Sequence, residues 1–187
     1  MAWFRFLRKF RRSIGLEMKE KKVYFRGIFL TGLFSLLLAS CFKSEQYPIE
    51  PIISEPLFTN MTDSAILSFH FTDGNGDIGL DDSELDPPFD SESYYYYNLY
   101  VGYYEKDDVN GWLPGLDLAG DSIFFKYRIE RIEIKGKQRG MKGTIEVVMN
   151  DFQNPFSTQN DTIKFTMKLI DRDLNESNLL ETGEIVP

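Results

Sequence analysis

The 187 residues carry 21 basic and 29 acidic side chains, a formal net charge of −8, with one cysteine and one histidine. A chain of this length holds one domain with a sizeable core, and its negative balance repels the phosphate backbone of nucleic acid, which excludes a nucleic-acid partner. One thiol cannot close an internal disulfide, so the fold rests on packing, aided at most by a metal.

In chain order, residues 1–17 come first. Arg5, Arg8, Lys9, Arg11 and Arg12 interleave with Trp3, Phe4, Phe6, Leu7 and Phe10, a basic amphipathic segment suited to an anionic membrane. Yet Met18-Lys19-Glu20-Lys21-Lys22, followed by the 14-residue apolar run Gly27–Ser40, is already a complete targeting segment. Residues 1–17 are therefore either a start assigned too early, with Met18 the true one, or an extended basic flank. A membrane-spanning helix needs ~20 apolar residues. Arg26 and Lys43-Ser44-Glu45 close this run too soon, so 18–40 reads as a signal peptide. Leu38-Ala39-Ser40-Cys41 places the lone cysteine behind small residues and resembles the lipobox of bacterial lipoproteins. That resemblance implies cleavage before Cys41, a lipid on its thiol, and anchorage in the outer membrane on its periplasmic or cell-surface face.

From Cys41 onward 147 residues remain. Nine of the 21 basic and two of the 29 acidic residues precede it, leaving 12 against 27 and a net charge of −15. Such a balance suits a soluble body held off a membrane, or one that binds cations. Residues 41–56, with Pro48, Pro51 and Pro56, read as an extended tether ending in an edge strand, and 57–187 as a β domain. Leu67, Phe69 and Phe71 alternate with polar neighbours. So do Tyr95, Tyr97, Leu99, Val101 and Tyr103, and then Ile123, Phe125, Tyr127 and Ile129. The third series slips phase to Ile132 and Ile134, which predicts a bulge or bend near Glu130 and Arg131. Ile145, Val147 and Met149, then Ile163, Phe165, Met167 and Leu169, continue the pattern, and Leu180 to Val186 supplies a last strand. With the stretch from Ile49 to Phe58 these make seven strands, the patterning of an all-β, antiparallel two-sheet sandwich.

Two further stretches carry a resemblance. Phe71-Thr72-Asp73-Gly74-Asn75-Gly76-Asp77-Ile78-Gly79 looks like the F-x-D-G-D-G-D-I-G signature of small lipoproteins of the Bacteroidota. Asp171-Arg172-Asp173-Leu174-Asn175-Glu176-Ser177-Asn178 is similar to the D-x-A-G-N-x-S turn of many bacterial immunoglobulin-like domains, with Leu174 where that motif has glycine. The resemblance implies an immunoglobulin-like sandwich of about seven strands.

Asp73, Asn75 and Asp77 alternate, so a tight loop can turn three oxygen-bearing side chains onto one centre. Counting from Asp73 along a calcium loop of about 12 residues puts the backbone carbonyl ligand at Gly79, a further ligand at Asp81 and the closing carboxylate at Glu84. Hard oxygen ligands of this kind suit calcium over zinc or copper. Ile78 replaces the glycine of an EF-hand, and Pro87-Pro88 blocks its exiting helix, so the loop must be strung between strands. The alternative is a glycine-rich turn capped by its own Asp and Asn side chains. If the seven strands run A to G as in an immunoglobulin-like sandwich, the B–C loop (Asp73 to Glu92), the D–E loop and the F–G turn gather at one end, which would bring Asp171 and Asp173 of that turn close as further ligands. The D–E loop, with Lys135, Lys137, Arg139 and Lys142, either pairs with surplus carboxylates there or stays solvated.

Tyr94, Tyr96, Tyr100 and Tyr104 line the face of a strand opposite its core series. Trp112-Leu113-Pro114-Gly115 and Phe152 to Phe156 fall at the opposite pole, as exposed aromatics. Tyr94, Tyr96 and Trp112 are the candidate platforms for an unidentified protein or glycan partner, against the plainer reading of cross-strand packing. His70 lies on the polar phase of a strand, and the abundant carboxylates have no catalytic specificity, so a carboxylate-based hydrolase is the least supported reading. The sequence points instead to a non-enzymatic, lipid-anchored, calcium-stabilised accessory of the outer membrane, with a glycan-binding module as the alternative. Cys41→Ser should leave uncleaved precursor without lipid. Unchanged mass and membrane fractionation of that variant would refute the lipoprotein reading.

Overall fold

The computed structural model describes residues 46–61, 63–133, 140–154, 157 and 162–186. The segments 1–17 and 18–40, Cys41, and the loop residues Lys135, Lys137 and Arg139 lie outside the described residues. Among these, eight strands form: β1 (Ile52–Asn60), β2 (Ser64–Asp73), β3 (Leu99–Asp107), β4 (Gly111–Pro114), β5 (Phe124–Tyr127), β6 (Met141–Asn150), β7 (Ile163–Leu169) and β8 (Leu180–Glu181). One sheet has the order β1-β2-β6; the other runs β4-β3-β7-β8, with β5 paired to β3 as well. Every strand pairing is antiparallel.

The two sheets face each other across one core, as the alternation requires. Leu67, Phe69 and Phe71 of β2 and Ile145, Val147 and Met149 of β6 meet Leu99, Val101 and Tyr103 of β3 and the odd-numbered residues of β7. The described residues thus form an all-β, two-sheet antiparallel sandwich. In a constant-type immunoglobulin sandwich the fourth strand sits beside the fifth. Here the series Ile123 to Ile129 joins the other sheet, where β5 pairs with β3.

Phe165 occupies the middle of the core. It stacks on Phe58 at 5.5 Å and meets Tyr103 at 5.7 Å and Phe125 at 6.2 Å, so it ties β1, β3 and β5 to β7. β1 begins at Ile52, within the stretch read as tether, and Ile53 is a core residue. Its register shifts between Ser54 and Leu57, where Glu55 has φ 53 and Pro56 offers no donor, which suits an edge strand. Asn178 clasps that edge: its Oδ1 accepts the Ile53 N–H and its Nδ2 donates to the Ile53 carbonyl, both at 2.9 Å.

Three local expectations need correction. Tyr95 and Tyr97 do not extend β3. Ser93 accepts the Tyr95 N–H and starts a short 3-10 turn, Tyr94–Tyr96, so local capping outcompetes extension. Trp112-Leu113-Pro114, expected as exposed aromatic surface at one pole, is β4, paired back onto β3 as a hairpin with Trp112 half-buried. Phe152 is buried, edge-on to Phe58 at 5.3 Å, because the chain leaving β6 folds over the core. Near Glu130 the chain does bend, and it leaves β3 to bond with the segment Ile78–Leu80.

Phe165→Ala should lower the free energy of unfolding by about 3–5 kcal/mol, the cost of an aromatic-sized cavity. Urea denaturation of the variant beside wild type measures it, and a loss under about 1 kcal/mol would show that the core collapses around the gap.

Candidate metal centre

The pleat of β2 builds the centre. Leu67, Phe69 and Phe71 point inward, and two residues on, Asp73 points the same way at the sheet's end. Its carboxylate is 0% exposed. Asp73 Oδ2 accepts the N–H groups of Gly76 at 2.6 Å and Asp77 at 3.0 Å, which curls the loop back over it. Gly76 and Gly79 take the left-handed conformations the curl needs, with φ 76 and 93. Ile78, between them, is fully buried and anchors the loop in the core.

The turn after β7 arrives from the other sheet. Asp171 lies at its start, and its two carboxylate oxygens accept the Asn175 N–H at 2.7 Å and the Asn175 amide at 2.8 Å. Leu174 adopts φ 68, so the turn keeps the left-handed residue that the motif assigns to glycine, at a cost of about 1–2 kcal/mol. Loop and turn are stitched together. The Arg172 N–H donates to the Asp77 carbonyl at 3.2 Å, the Asp173 N–H to Asp77 Oδ2 at 3.1 Å, and the Asn75 amide to Asp173 Oδ2 at 3.2 Å.

One oxygen from each of Asp73, Asp77 and Asp171 lies within 4.8 Å of the others. Oxygens around a single calcium, each at 2.3–2.6 Å from it, stand up to about 5 Å apart, so the three fit one ion. Among the described residues, Asp73 Oδ1, Asn75 Oδ1 and Asp77 Oδ1 are buried without a hydrogen-bond partner. Lone pairs left unanswered in this way disfavour the fold unless something positive meets them. Electrostatics agree. Burial, then the charges of Asp171 and Asp73, push Asp77 up to about 6. Burial also raises Asp73, against the opposing N–H groups of Asp77 and Gly76, and raises Asp171. Oxygen-only donors of this charge suit calcium.

The remaining candidates from the loop count fall elsewhere. Asp81 pairs with Arg131 at 2.9 Å. Glu84 accepts the Asp81 N–H at 2.7 Å and pairs with Arg172; burial pushes it up, but these donors outweigh it and hold it low. Gly79 lies so close to Glu130 that a Cβ would collide with its carbonyl. The register of an EF-hand is therefore not followed beyond Asp77, because the chain leaves the cluster at buried Ile78. Arginines, which the sequence reading passed over, hold the rest of the loop. Arg128 donates to the carbonyls of Tyr96 at 2.6 Å, Asp81 at 3.1 Å and Glu84 at 2.7 Å. Only the pairing of β5 with β3 reveals that it faces them.

The aromatic candidates separate too. The Arg128 guanidinium covers Tyr96 at 4.9 Å, and the ammonium groups of Lys164 and Lys106 stand 5.0 and 5.9 Å from the Trp112 ring. Tyr94 instead stacks on Tyr100. No protein-family model matches the chain, and no curated protein matches it in sequence.

The raised Asp77 value has a signed consequence for the cation-free protein. A carboxyl whose folded value is about 6 against an ordinary 3.8 adds stability below pH 3.8 that is lost as pH rises through 6. In chelator, wild type should therefore lose stability relative to Asp77→Asn between about pH 4 and 7, and calcium should close the gap. Melting curves across that range measure it; a difference that does not vary with pH would count against the repulsive cluster.

Proposed function

We propose that the protein is a lipid-anchored β-sandwich of the outer membrane, clamped by calcium at Asp73, Asp77 and Asp171, and that it serves there as a binding or structural accessory without catalysis. The observation that carries this reading is the set of buried, unpartnered oxygens on Asp73, Asn75 and Asp77 beside the Asp171 carboxylate. The lipid on Cys41 and the membrane location rest on the lipobox resemblance alone. The non-catalytic reading takes support from His70, which stands on the outer face of β2, paired with Glu55 at 3.0 Å, rather than in a cleft.

Calcium binds the folded cluster and not the open chain, so it should raise stability by mass action, by about 2.7 kcal/mol at a hundredfold excess over the dissociation constant. Extracellular modules bind at ~10⁻⁴–10⁻³ M, so millimolar calcium is the range to test. Asp77→Ala should erase the calcium-dependent rise in melting temperature of the full chain, while Asp81→Asn should keep it. Absence of a rise in wild type, or its full retention in Asp77→Ala, would overturn the proposal.

A further inference from the structure

The outward phase of β3 is Tyr100, Gly102 and Tyr104, and it forms a groove on the open face of the larger sheet. Gly102 stands in register with Phe124 on β5 and Thr166 on β7. A Cβ at position 102 would lie 2.7 Å from the Thr166 hydroxyl oxygen and 3.3 Å from the Phe124 ring. The bare glycine thus leaves a notch between two tyrosines, and the groove over it measures about 410 Å³, within the range of small-ligand sites.

Its aromatic wall is already set. Tyr94 lies flat on Tyr100, with centroids 4.7 Å apart and planes at 11°, and the Tyr100 hydroxyl donates to the Tyr94 carbonyl. Tyr94 is nevertheless 50% exposed and Phe124 51%, so both present ring surface to solvent. Apolar surface concentrated in one concave place marks a binding site more than scattered exposure does.

Charge narrows the occupant. Lys106, Lys164 and Lys168 on the same sheet each hold a carboxylate, those of Glu184, Glu181 and Glu176, at 2.7, 2.8 and 2.7 Å. Lys126 lines the groove, stands 6.0 Å from the Tyr100 ring and, among the described residues, has no carboxylate within 4 Å. In a chain with 27 acidic residues against 12 basic ones after Cys41, an unclaimed ammonium group beside the Tyr100 ring is a place for one external anion. An acidic peptide binding as an added strand would need a free sheet edge at the groove floor. Both edges of β3 are taken here, by β5 and β7. A sugar needs no such edge. Its C–H faces can lie against electron-rich ring faces, its hydroxyls can meet those of Tyr104 and Thr166, and a carboxylate on the ring can meet Lys126.

We infer that this groove binds a uronic-acid-containing oligosaccharide, with Phe124 and the Tyr94–Tyr100 pair as stacking surfaces and Lys126 as the carboxylate partner. The site shares no residue with the acidic cluster, so the two readings stand or fall separately.

The test is calorimetric titration of the full chain in detergent with trisaccharides that carry a single galacturonate, glucuronate or mannuronate residue, each beside its uncharged methyl ester, and with tri-glutamate. At least one uronate should bind, and its ester about tenfold more weakly, the difference expected of one charge-assisted contact. Lys126→Met should weaken the uronate by a similar factor and leave the ester unchanged, whereas Phe124→Ala should weaken both. Both positions are exposed, so melting temperature and the calcium response should not move. Four results would each overturn the inference: no uronate bound, ester and acid bound equally, full affinity in Lys126→Met, or tri-glutamate bound as well as the sugar.

Discussion

The pleat of β2 carries the Asp73 carboxylate onto the same face as Leu67, Phe69 and Phe71, and so places a group that water would ionise where water does not reach. Two N–H groups of its own loop answer one oxygen. The other is left to whatever the neighbouring segments deliver, and they deliver more acid, from Asp77 and Asp171. Hydrogen bonding within the cluster cannot resolve this, because ionised carboxylates only accept. A proton or a cation can.

That requirement joins the two layers. Asp73 closes β2 in the three-stranded sheet, whereas Asp171 follows β7 in the five-stranded one. Around them the Asp77–Arg172 and Asp77–Asp173 backbone contacts and the Arg172–Glu84 pair bind the same two segments. The far side of β3 is governed differently. There the strand ladder and aromatic stacking shape the surface, and the acidic turn after β7 reaches it only through Glu176, which pairs with Lys168.

The fold was legible because its signal is local. Series such as Leu67-Phe69-Phe71 and Ile163 to Leu169 have period two, and a half-buried strand is the structure that gives each residue one environment. The meeting of Asp73 with Asp171 was legible too, once strand order brought their loops to one end. What the pattern did not carry was competition between neighbours. Tyr95 and Tyr97 have strand propensity, yet Ser93 captures an N–H and turns the chain. The count that assigned Asp81 and Glu84 to the cluster treated Ile78 only as a departure from glycine, whereas its burial pulls the chain into the core before they are reached. The groove was invisible for a related reason. Its floor is an absent side chain at Gly102, and its cation comes from Lys126, a strand away.

The clasp of Asn178 on Ile53 has a mechanical side. Ile52 pairs with Thr72, so β1 enters the sandwich at the end of β2 that carries Asp73. The chain just before it passes so near Gly74 that any side chain there would strike the Pro48 carbonyl. A pull on the segment ahead of Ile52 therefore reaches the acidic loop first, and then the clasp at Ile53 together with the opening pairs of the β1–β2 ladder. Asn178 belongs to the turn that Asp171 opens, so the force is shared with the second sheet at its first step. Tension at this end is met across both layers, and an edge strand held by one ladder does not have to resist it alone.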